Sequence, residues 1–152
     1  MPATLEHCAF IARNMKQADR DEVMAASGFS PLSAIKISWL FSLTAFTGLD
    51  PDGEPLGMFG VSRENIHWFT PWLLSTERIG DLWIPFLRTT RDLFPHVCAE
   101  YPNMRNYVDA RNVKSIAWLK WLGFNMEAPA PYGVSGLPFI LFYLEGEQCV
   151  TL

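Results

Sequence analysis

Apolar side chains recur every three or four positions along several stretches of the chain. Between residues 32 and 43 the recurring residues are Leu32, Ile35, Trp39 and Leu43. This spacing predicts a helix with one apolar face, and Ser30 and Pro31 supply its N-cap oxygen and first helical residue. Similar spacing predicts further helices over residues 16–27, 81–100 and 113–122.

Glycine and proline mark where these helices begin and end. Gly28 and Gly123 each follow a predicted helix, as C-terminal stops whose left-handed conformation costs glycine little. Within residues 81–100, Pro85 is expected to mark the start of the main helix, and Pro95 is expected to kink or split it.

Shorter apolar runs predict strands. Residues 8–11 form the first, and residues 44–48 and 56–61 flank a turn rich in Asp, Pro and Gly, which predicts an antiparallel hairpin. The remaining strands are predicted at 66–74, 107–110 and 139–144. Pro71 interrupts the first of these three runs. Since proline cannot donate to a ladder, that strand should lie at an edge, be bulged, or splay from its neighbour at this point.

The order of these elements is strand, two helices, hairpin, strand, helix, strand, helix, strand. A hairpin followed by alternating strands and helices predicts an α/β fold with a mixed central sheet and helices on both faces. No repeat, low-complexity tract or linker divides the chain, and 152 residues is an ordinary length for one domain. Residues 1–152 are therefore expected to form a single domain.

Composition argues against several classes of protein. Hydrophobic residues make up 49 % of the chain, too many for a disordered protein. The formal net charge is −4 and the basic residues are scattered, so no nucleic-acid partner is expected. No apolar stretch reaches the ~20 residues that span a bilayer, and the N-terminus lacks the basic region of a signal peptide, which predicts a cytoplasmic protein without a membrane partner. Cys8, Cys98 and Cys149 are too dispersed to predict a disulfide framework or a metal site.

A specific motif follows the strand predicted at 107–110. Asn112 comes just after the strand, small Ser115 lies three residues later, and Gly123 with Phe124 ends the helix. Asn112 is a good N-cap, and Phe124 supplies the hydrophobic contact that accompanies a glycine stop. The pattern resembles the motif that joins the fifth strand to the fourth helix in acyl-CoA N-acyltransferases of the GNAT family. This resemblance implies the GNAT fold.

A closer likeness extends over most of the chain. Residues 106–112, 118–124 and 131–139 are similar to a GNAT-related family of short-tailed-phage proteins whose members are often labelled internal virion protein. The likeness implies a phage or prophage origin. It also implies a location in the host cytoplasm or the virion, with phage structural proteins as partners.

The resemblance to GNAT enzymes implies a site for acetyl-CoA between the family's fourth and fifth strands. Residues 72–74 would pair with the pantetheine arm, and the loop that follows would face the pyrophosphate at a helix N-terminus. The implied cofactor-binding residues are Trp72, Leu73, Leu74, Ser75, Thr76, Arg78, Gly80, Asn112 and Ser115.

Three residues depart from the family pattern. Glu77 stands where the pyrophosphate loop usually has Gln or Arg, and Leu82 stands where it has a small residue, so the loop is degenerate. Leu119 occupies the position of a Tyr that many members are thought to use to protonate the leaving thiolate. A leucine cannot donate a proton.

The reaction implied by the resemblance is direct attack of a neutral amine on a thioester carbonyl. It needs a backbone N–H to polarise the carbonyl, and a general base is expected to assist. The candidate bases are Asp109, His67 and Glu64. Each has an alternative: Asp109 organises the turn at the end of its strand, and the other two are solvated.

Two functions remain open at this point. One is an acetyl-CoA-dependent N-acetyltransferase acting on a small-molecule or protein amine. The other is a non-catalytic GNAT-like scaffold that serves phage morphogenesis or host interaction. The hairpin edge and the many aromatic residues allow an oligomer without requiring one.

Overall fold

The computed structural model describes residues 1–149. Its helices are α1 (Leu5–Asn14), α2 (Gln17–Ser27), α3 (Pro31–Leu40), α4 (Trp83–Glu100), α5 (Val113–Trp121) and α6 (Gly146–Cys149). Its strands are β1 (Ser42–Leu49), β2 (Pro55–Arg63), β3 (Phe69–Ser75), β4 (Met104–Asp109), β5 (Asn125–Met126), β6 (Ala130–Pro131) and β7 (Pro138–Leu144). A short 3-10 helix, Glu77–Gly80, lies between β3 and α4. Within this part of the chain, no helix has both the length and the apolar character required to cross a membrane.

The strands form one mixed sheet in the order β1-β2-β3-β4-β7-β5, and β6 pairs with β7. The pairs β1–β2, β2–β3 and β4–β7 are antiparallel, whereas β3 and β4 run parallel. The predicted hairpin is β1–β2. The prediction of a mixed central sheet is confirmed.

Helices cover both faces of this sheet. Met58 and Val61 lie three residues apart on β2, so their side chains point to opposite faces. Met58 packs against α1 and α3 in a cluster that also contains Cys8, Ile11, Ala12, Met15, Ile35 and Leu74. Val61 belongs to a second cluster, formed with α4, α5, β4 and β7, that contains Cys98, Tyr101, Met104, Val108, Leu119, Leu122, Phe124, Phe142 and Leu144. Each Val, Leu, Ile, Phe or Met side chain in these clusters contributes about 1.5–3 kcal/mol when fully buried.

The sheet opens between β3 and β4. In the described chain these strands pair only at Phe69 and Met104. Two positions further along β3, Pro71 has no N–H to donate. Asn106 Nδ2 instead donates to the Pro71 carbonyl oxygen at 2.9 Å. β3 lies between β2 and β4, so it is not an edge strand. Of the three outcomes expected at Pro71, the structure shows the splay. The gap bounded by residues 71–75 and 106–109 is called the β3–β4 cleft below.

The predicted helix ends are confirmed at three places. Ser30 Oγ accepts the N–H of Ser33 at the start of α3. Gly28 ends α2 with a φ of 71°, and Gly123 follows α5 with a φ of 103°.

Two strand predictions need correction. Residues 8–11 belong to α1, whose start is capped by Thr4 Oγ1. A four-residue apolar run cannot distinguish a strand from one face of a buried helix. The strand expected at 66–74 begins at Phe69. Asn65 precedes it and accepts the N–H groups of His67 and Trp68, which holds those residues in a turn.

The boundaries of α4 also differ from expectation. The helix begins at Trp83, so Pro85 lies in its first turn, where a missing N–H has no intrahelical partner to lose. It continues through Pro95 and ends at Glu100 without being split. The short elements β5, β6 and α6 were not predicted, because two to four residues carry no periodic pattern.

A pair of glycine substitutions tests how the loop before β7 rests on α2. Gly133 and Gly136 have similar φ values of 70° and 66°. A Cβ at Gly133 would lie 2.5 Å from the carbonyl oxygen of Ala26, whereas a Cβ at Gly136 would meet nothing within 4 Å. In urea titrations we expect Gly133→Ala to lower the free energy of unfolding by about 2–4 kcal/mol and Gly136→Ala by about 1 kcal/mol. Equal losses would contradict the close packing of the loop on α2.

Candidate active site

The β3–β4 cleft presents backbone polar groups of β3. Phe69 donates its N–H to the carbonyl oxygen of Asn103, next to β4, and Ser75 donates its N–H to Asp19. Hydrogen-bonding directions alternate along a strand, so the N–H and C=O of Leu73 face the same side and point into the cleft. A backbone N–H at this place is a preformed donor for a ligand carbonyl.

Helix α2 crosses the open end of the cleft. Asp19 Oδ2 accepts the N–H of Ser75 at 2.9 Å and its hydroxyl at 3.1 Å. Glu22 lies three residues later on the same side of the helix, and its Oε1 accepts the N–H of Asp109 at 2.7 Å. Two carboxyl groups of one helix therefore bind the ends of the two splayed strands.

The carboxyl group of Glu22 titrates near neutral pH. Burial raises the pKa of Glu22 to about 7, and the nearby charges of Asp19 and Asp109 act in the same direction. The hydrogen bond from the Asp109 N–H and the nearby amide of Asn112 oppose this rise only in part. Glu22 forms no salt bridge within residues 1–149. A carboxyl group with this pKa gains and loses a proton readily at pH 7.

Asp109 is buried at the end of β4 and already has partners. Burial raises its pKa, but the hydrogen bonds and charge of Arg111 outweigh this effect and hold the pKa of Asp109 below its usual value. Asp109 Oδ2 lies 2.7 Å from Arg111 Nη2, and Oδ1 accepts the Arg111 N–H. An ion-paired carboxylate of low pKa is a weak proton acceptor. The residue organises the turn into α5.

Asn112 and Ser115 stand at the start of α5, beside the cleft. Asn112 Oδ1 accepts the N–H of Ser115 at 3.4 Å, which is the predicted N-cap. Asn112 is only 6 % exposed, and its Nδ2 makes no hydrogen bond of standard geometry in the described chain. A buried amide donor without a full partner can bind a ligand carbonyl at little cost, because it has no good hydrogen bond to lose.

In the first residues of the predicted pyrophosphate loop, most polar groups already bind other residues of the protein. Ser75 is bound to Asp19, as above, and both the N–H and the hydroxyl of Thr76 donate to the carbonyl oxygen of Leu56. Arg78 pairs with Asp50 and Glu54 in the β1–β2 turn. None of these three side chains is directed at a ligand in this arrangement.

The carboxylate of Glu77 is already hydrogen-bonded within the protein. Its Oε1 accepts the N–H of Gln17 at 2.8 Å, at the N-terminus of α2. Its negative charge is stabilised there by the helix dipole.

A cavity of about 110 Å³ lies between the 3-10 helix and α5. Gly80 and Ser115 line it, as the predicted phosphate site requires, and so do two basic residues, Lys16 and Lys114, and the acidic Glu77. Lys16 also lies 3.7 Å from Asp19, whereas Lys114 projects from the first turn of α5. The two lysines that bring positive charge to this cavity lie outside the predicted pyrophosphate loop.

The side chains of Trp72 and Leu74 point to the α1–α3 face of the sheet. Trp72 Nε1 donates to Ser42 Oγ at 2.8 Å, and Leu74 is buried in the cluster with α1. These residues can contribute backbone groups to the cleft region, but their side chains serve packing. Leu119 is buried in the opposite cluster.

The other two candidate bases lie elsewhere. Glu64 and His67 precede β3, at the end where β3 and β4 pair, whereas Asp109 lies at the far end of β4. Glu64 forms a two-pronged ion pair with Arg105 at 2.8 and 2.9 Å, which lowers the pKa of Glu64. His67 is exposed. The structure does not bring these two residues to the cleft.

Sequence reasoning missed Glu22, Asp19, Lys16 and Lys114. The available signal was the spacing of Asp19 and Glu22, which places two carboxyl groups on one side of a predicted helix. That spacing is equally typical of a solvated helix face. Only the packing of α2 across the cleft distinguishes the two cases.

Several solved structures of acetyltransferases are similar to this chain over almost its whole length. A chimera built on the spermidine N-acetyltransferase of Vibrio cholerae matches 100 % of this chain and 97 % of its own, with a TM-score of 0.71 and 13 % identity. A GNAT-family acetyltransferase of Bacillus anthracis matches 96 % and 93 %, with a TM-score of 0.68 and 8 % identity. An acetyltransferase of Agrobacterium tumefaciens matches 95 % and 88 %, with a TM-score of 0.58 and 18 % identity. The chain has the GNAT fold.

The structural similarity, given by the TM-scores, establishes the GNAT fold. Because the sequence identities are low, the activity has to be argued from the site. No protein-family model matches the sequence, and no curated protein matches it significantly. The resemblance to short-tailed-phage proteins therefore stays a prediction.

The raised pKa of Glu22 predicts a specific pH dependence of stability. Because this pKa is higher in the folded than in the unfolded chain, the folded chain binds more protons between about pH 4.5 and 7. The Glu22 contribution to the free energy of unfolding therefore falls by roughly 3 kcal/mol as pH rises through this window. In urea titrations across this pH range, the free energy of unfolding of the wild type should fall by this amount relative to that of Glu22→Gln.

The difference between the two proteins isolates Glu22 from Asp19 and Asp109, which face it. Glu127→Gln, at an exposed position, serves as the matched control and should keep the wild-type profile. Parallel profiles for wild type and Glu22→Gln would show that the pKa of Glu22 is ordinary.

Proposed function

We propose that this chain is an acyl-CoA-dependent N-acyltransferase that acetylates an amine. The observation that carries the proposal is the position of Glu22. Its carboxyl group, with a pKa of about 7, lies at the open end of the β3–β4 cleft, into which the N–H of Leu73 points. A proton acceptor and a carbonyl-polarising donor are thus placed at one cleft of a fold shared with acetyltransferases.

The residues around the cleft fit acetyl-CoA. The Leu73 backbone and the Asn112 amide offer hydrogen bonds to the amide groups of the pantetheine arm. Lys16 and Lys114, at the cavity of about 110 Å³, would hold the diphosphate in place of the degenerate loop. Acetyl-CoA supplies an activated acyl group when bound.

The protein then has two chemical tasks. Glu22 accepts the proton that converts the acceptor's ammonium group into a nucleophilic amine, and the Leu73 N–H stabilises charge on the carbonyl oxygen under attack. As the new C–N bond forms, the C–S bond breaks. The proton that the amine loses balances the one gained by the thiolate. Asp109, the base expected from sequence, orders the turn beside Glu22 in this proposal.

Removing the Glu22 carboxyl tests the catalytic part of this proposal. We expect Glu22→Gln to lower kcat by about 10²–10⁴-fold. We also expect kcat/KM of the wild type to rise with pH through about 7, because the base must be ionised, and this step to vanish in the variant. Asp109→Asn is the comparison. A larger rate loss for Asp109→Asn at unchanged melting temperature would favour Asp109 as the base.

Two lysines of α5 test the cofactor site by binding alone. Lys114 lines the cavity of about 110 Å³, whereas Lys120, on the same helix, lines neither that cavity nor the larger open cavity that includes the β3–β4 cleft. In calorimetric titrations with CoA we expect Lys114→Ala to weaken binding about tenfold and Lys120→Ala to leave it unchanged, since a charge-assisted hydrogen bond contributes about 1.5 kcal/mol. Equal affinities of the two variants for CoA would show that the diphosphate does not bind in this cavity.

A non-catalytic role is the second proposal, favoured by a different observation. The N–H groups of Ser75 and Thr76 are already bound to Asp19 and Leu56, and Leu119 cannot act as a proton donor. A scaffold in a phage virion, as the likeness of residues 106–112 and 131–139 implies, would need neither cofactor nor catalysis. Absence of heat on titration with acetyl-CoA at millimolar concentration would favour it over the enzyme.

A further inference from the structure

Two tyrosines stack on the face of β4 that lies next to α2. The rings of Tyr107 and Tyr132 are 4.0 Å apart at an interplanar angle of 16°, and Tyr132 also contacts Phe139 at 5.1 Å. Adjacent side chains of a strand point to opposite faces, so Tyr107 points away from the core cluster that contains Val108. Tyr107 nevertheless remains 40 % exposed. The pair offers a partly open aromatic surface.

The loop that carries Tyr132 is held in place. Tyr132 donates its N–H to the carbonyl oxygen of Leu137 at 3.1 Å. Val134 and Ser135 donate theirs to the carbonyl oxygens of Ala26 and Ala25, both at 3.2 Å. The aromatic surface is therefore preformed, and a ligand that binds it does not have to order the loop.

Glu22 borders the same surface. Ala26, which accepts a hydrogen bond from the Tyr132 loop, lies one helical turn after Glu22 on α2, so both face the same way. Glu22 Oε1 accepts the N–H of Asp109, and Asp109 lies two residues after Tyr107 on β4, so the side chains of Tyr107 and Asp109 point to the same face of the sheet. Glu22 is a carboxyl group without an ion pair in the described residues, and its place at the edge of an aromatic surface matches a ligand with an ammonium group close to a ring, since rings attract both rings and cations.

The ion pairs around this surface disfavour acceptors that carry a carboxylate or a second ammonium group. Three basic side chains border this face, and each has a carboxylate partner: Lys16 with Asp19, Arg105 with Glu64 and Arg111 with Asp109. They leave no free cation there for an acceptor that carries its own carboxylate. Arg105 and Arg111 occupy Glu64 and Asp109, and Ser75 binds Asp19, so the carboxylates that a second ammonium group would need already have partners. Glu22 is therefore left with one cation to bind.

We propose that the amine acceptor of this chain is a primary monoamine with an aromatic ring, stacked on Tyr107 and Tyr132 with its amine at Glu22. The proposal rests on the acyl transfer proposed above and names its substrate class. It separates this chain from the spermidine N-acetyltransferase whose fold it shares, because spermidine is a polyamine without a ring.

The test begins with binding to the full chain in the absence of acyl-CoA. Calorimetric titrations use 2-phenylethylamine, spermidine and β-alanine as probes. We expect 2-phenylethylamine to bind at least tenfold more tightly than the other two. Tyr132→Ala should weaken its binding at least fivefold, and Tyr132→Phe should restore it. Trp121→Ala, which removes an exposed aromatic ring outside both cavities, should have no effect.

A second arm measures acetylation of the same three amines with acetyl-CoA. We expect kcat/KM to follow the order of binding and Tyr132→Ala to act mainly through KM. Tighter binding of spermidine or β-alanine overturns the proposal, and so does unchanged 2-phenylethylamine binding by Tyr132→Ala at a wild-type melting temperature. Selective binding of 2-phenylethylamine without acetylation of any probe would leave the aromatic-amine site standing and refute the enzyme proposal.

Discussion

The missing N–H of Pro71 is the constraint on which the site depends. A strand inside a sheet normally donates and accepts hydrogen bonds on both sides, and Pro71 cannot donate towards β4. Pairing between β3 and β4 is confined to Phe69 and Met104, and the strands diverge beyond that point. The backbone groups exposed by the divergence need other partners, because an unpaired buried polar group costs about 1–3 kcal/mol. The cleft and the side chains that fill it follow from this need.

Those partners are side chains rather than another strand. Asn106 binds the carbonyl oxygen of Pro71, Asp19 binds the end of β3, and Glu22 binds the end of β4. A side chain can change rotamer without unfolding the sheet, whereas a ladder cannot be opened locally at similar cost. A ligand with its own amide and carbonyl groups could therefore replace these bonds one for one. The raised pKa of Glu22 has the same origin, because the bond to β4 buries its carboxyl group beside Asp109.

Local features of this fold were predictable from sequence, and long-range ones were not. The splay at Pro71 and the Asn112 cap depend on one residue or a few neighbours: the cap was predicted, and the splay was one of three outcomes expected at Pro71. The helix at 8–11 was missed because a short apolar run has no decisive period. Glu22 was missed because its partner is 87 positions away. No periodic pattern records which helix will cross the end of which strand.

The acidity of α2 and of Glu77 opposes the binding of the anionic cofactor proposed above, and hydrogen bonds and an ion pair reduce this effect. Glu77 is turned onto the N-terminus of α2, and Asp19 is held by Ser75 and Lys16. Glu22, with a pKa of about 7, is uncharged in about half of the molecules at neutral pH. In the proposed enzyme, its neutral form would lower the repulsion of a diphosphate, and its ionised form would attract an ammonium group and accept a proton from it. One carboxyl group near its pKa can therefore serve both ligands, which a permanently ionised Asp109 could not.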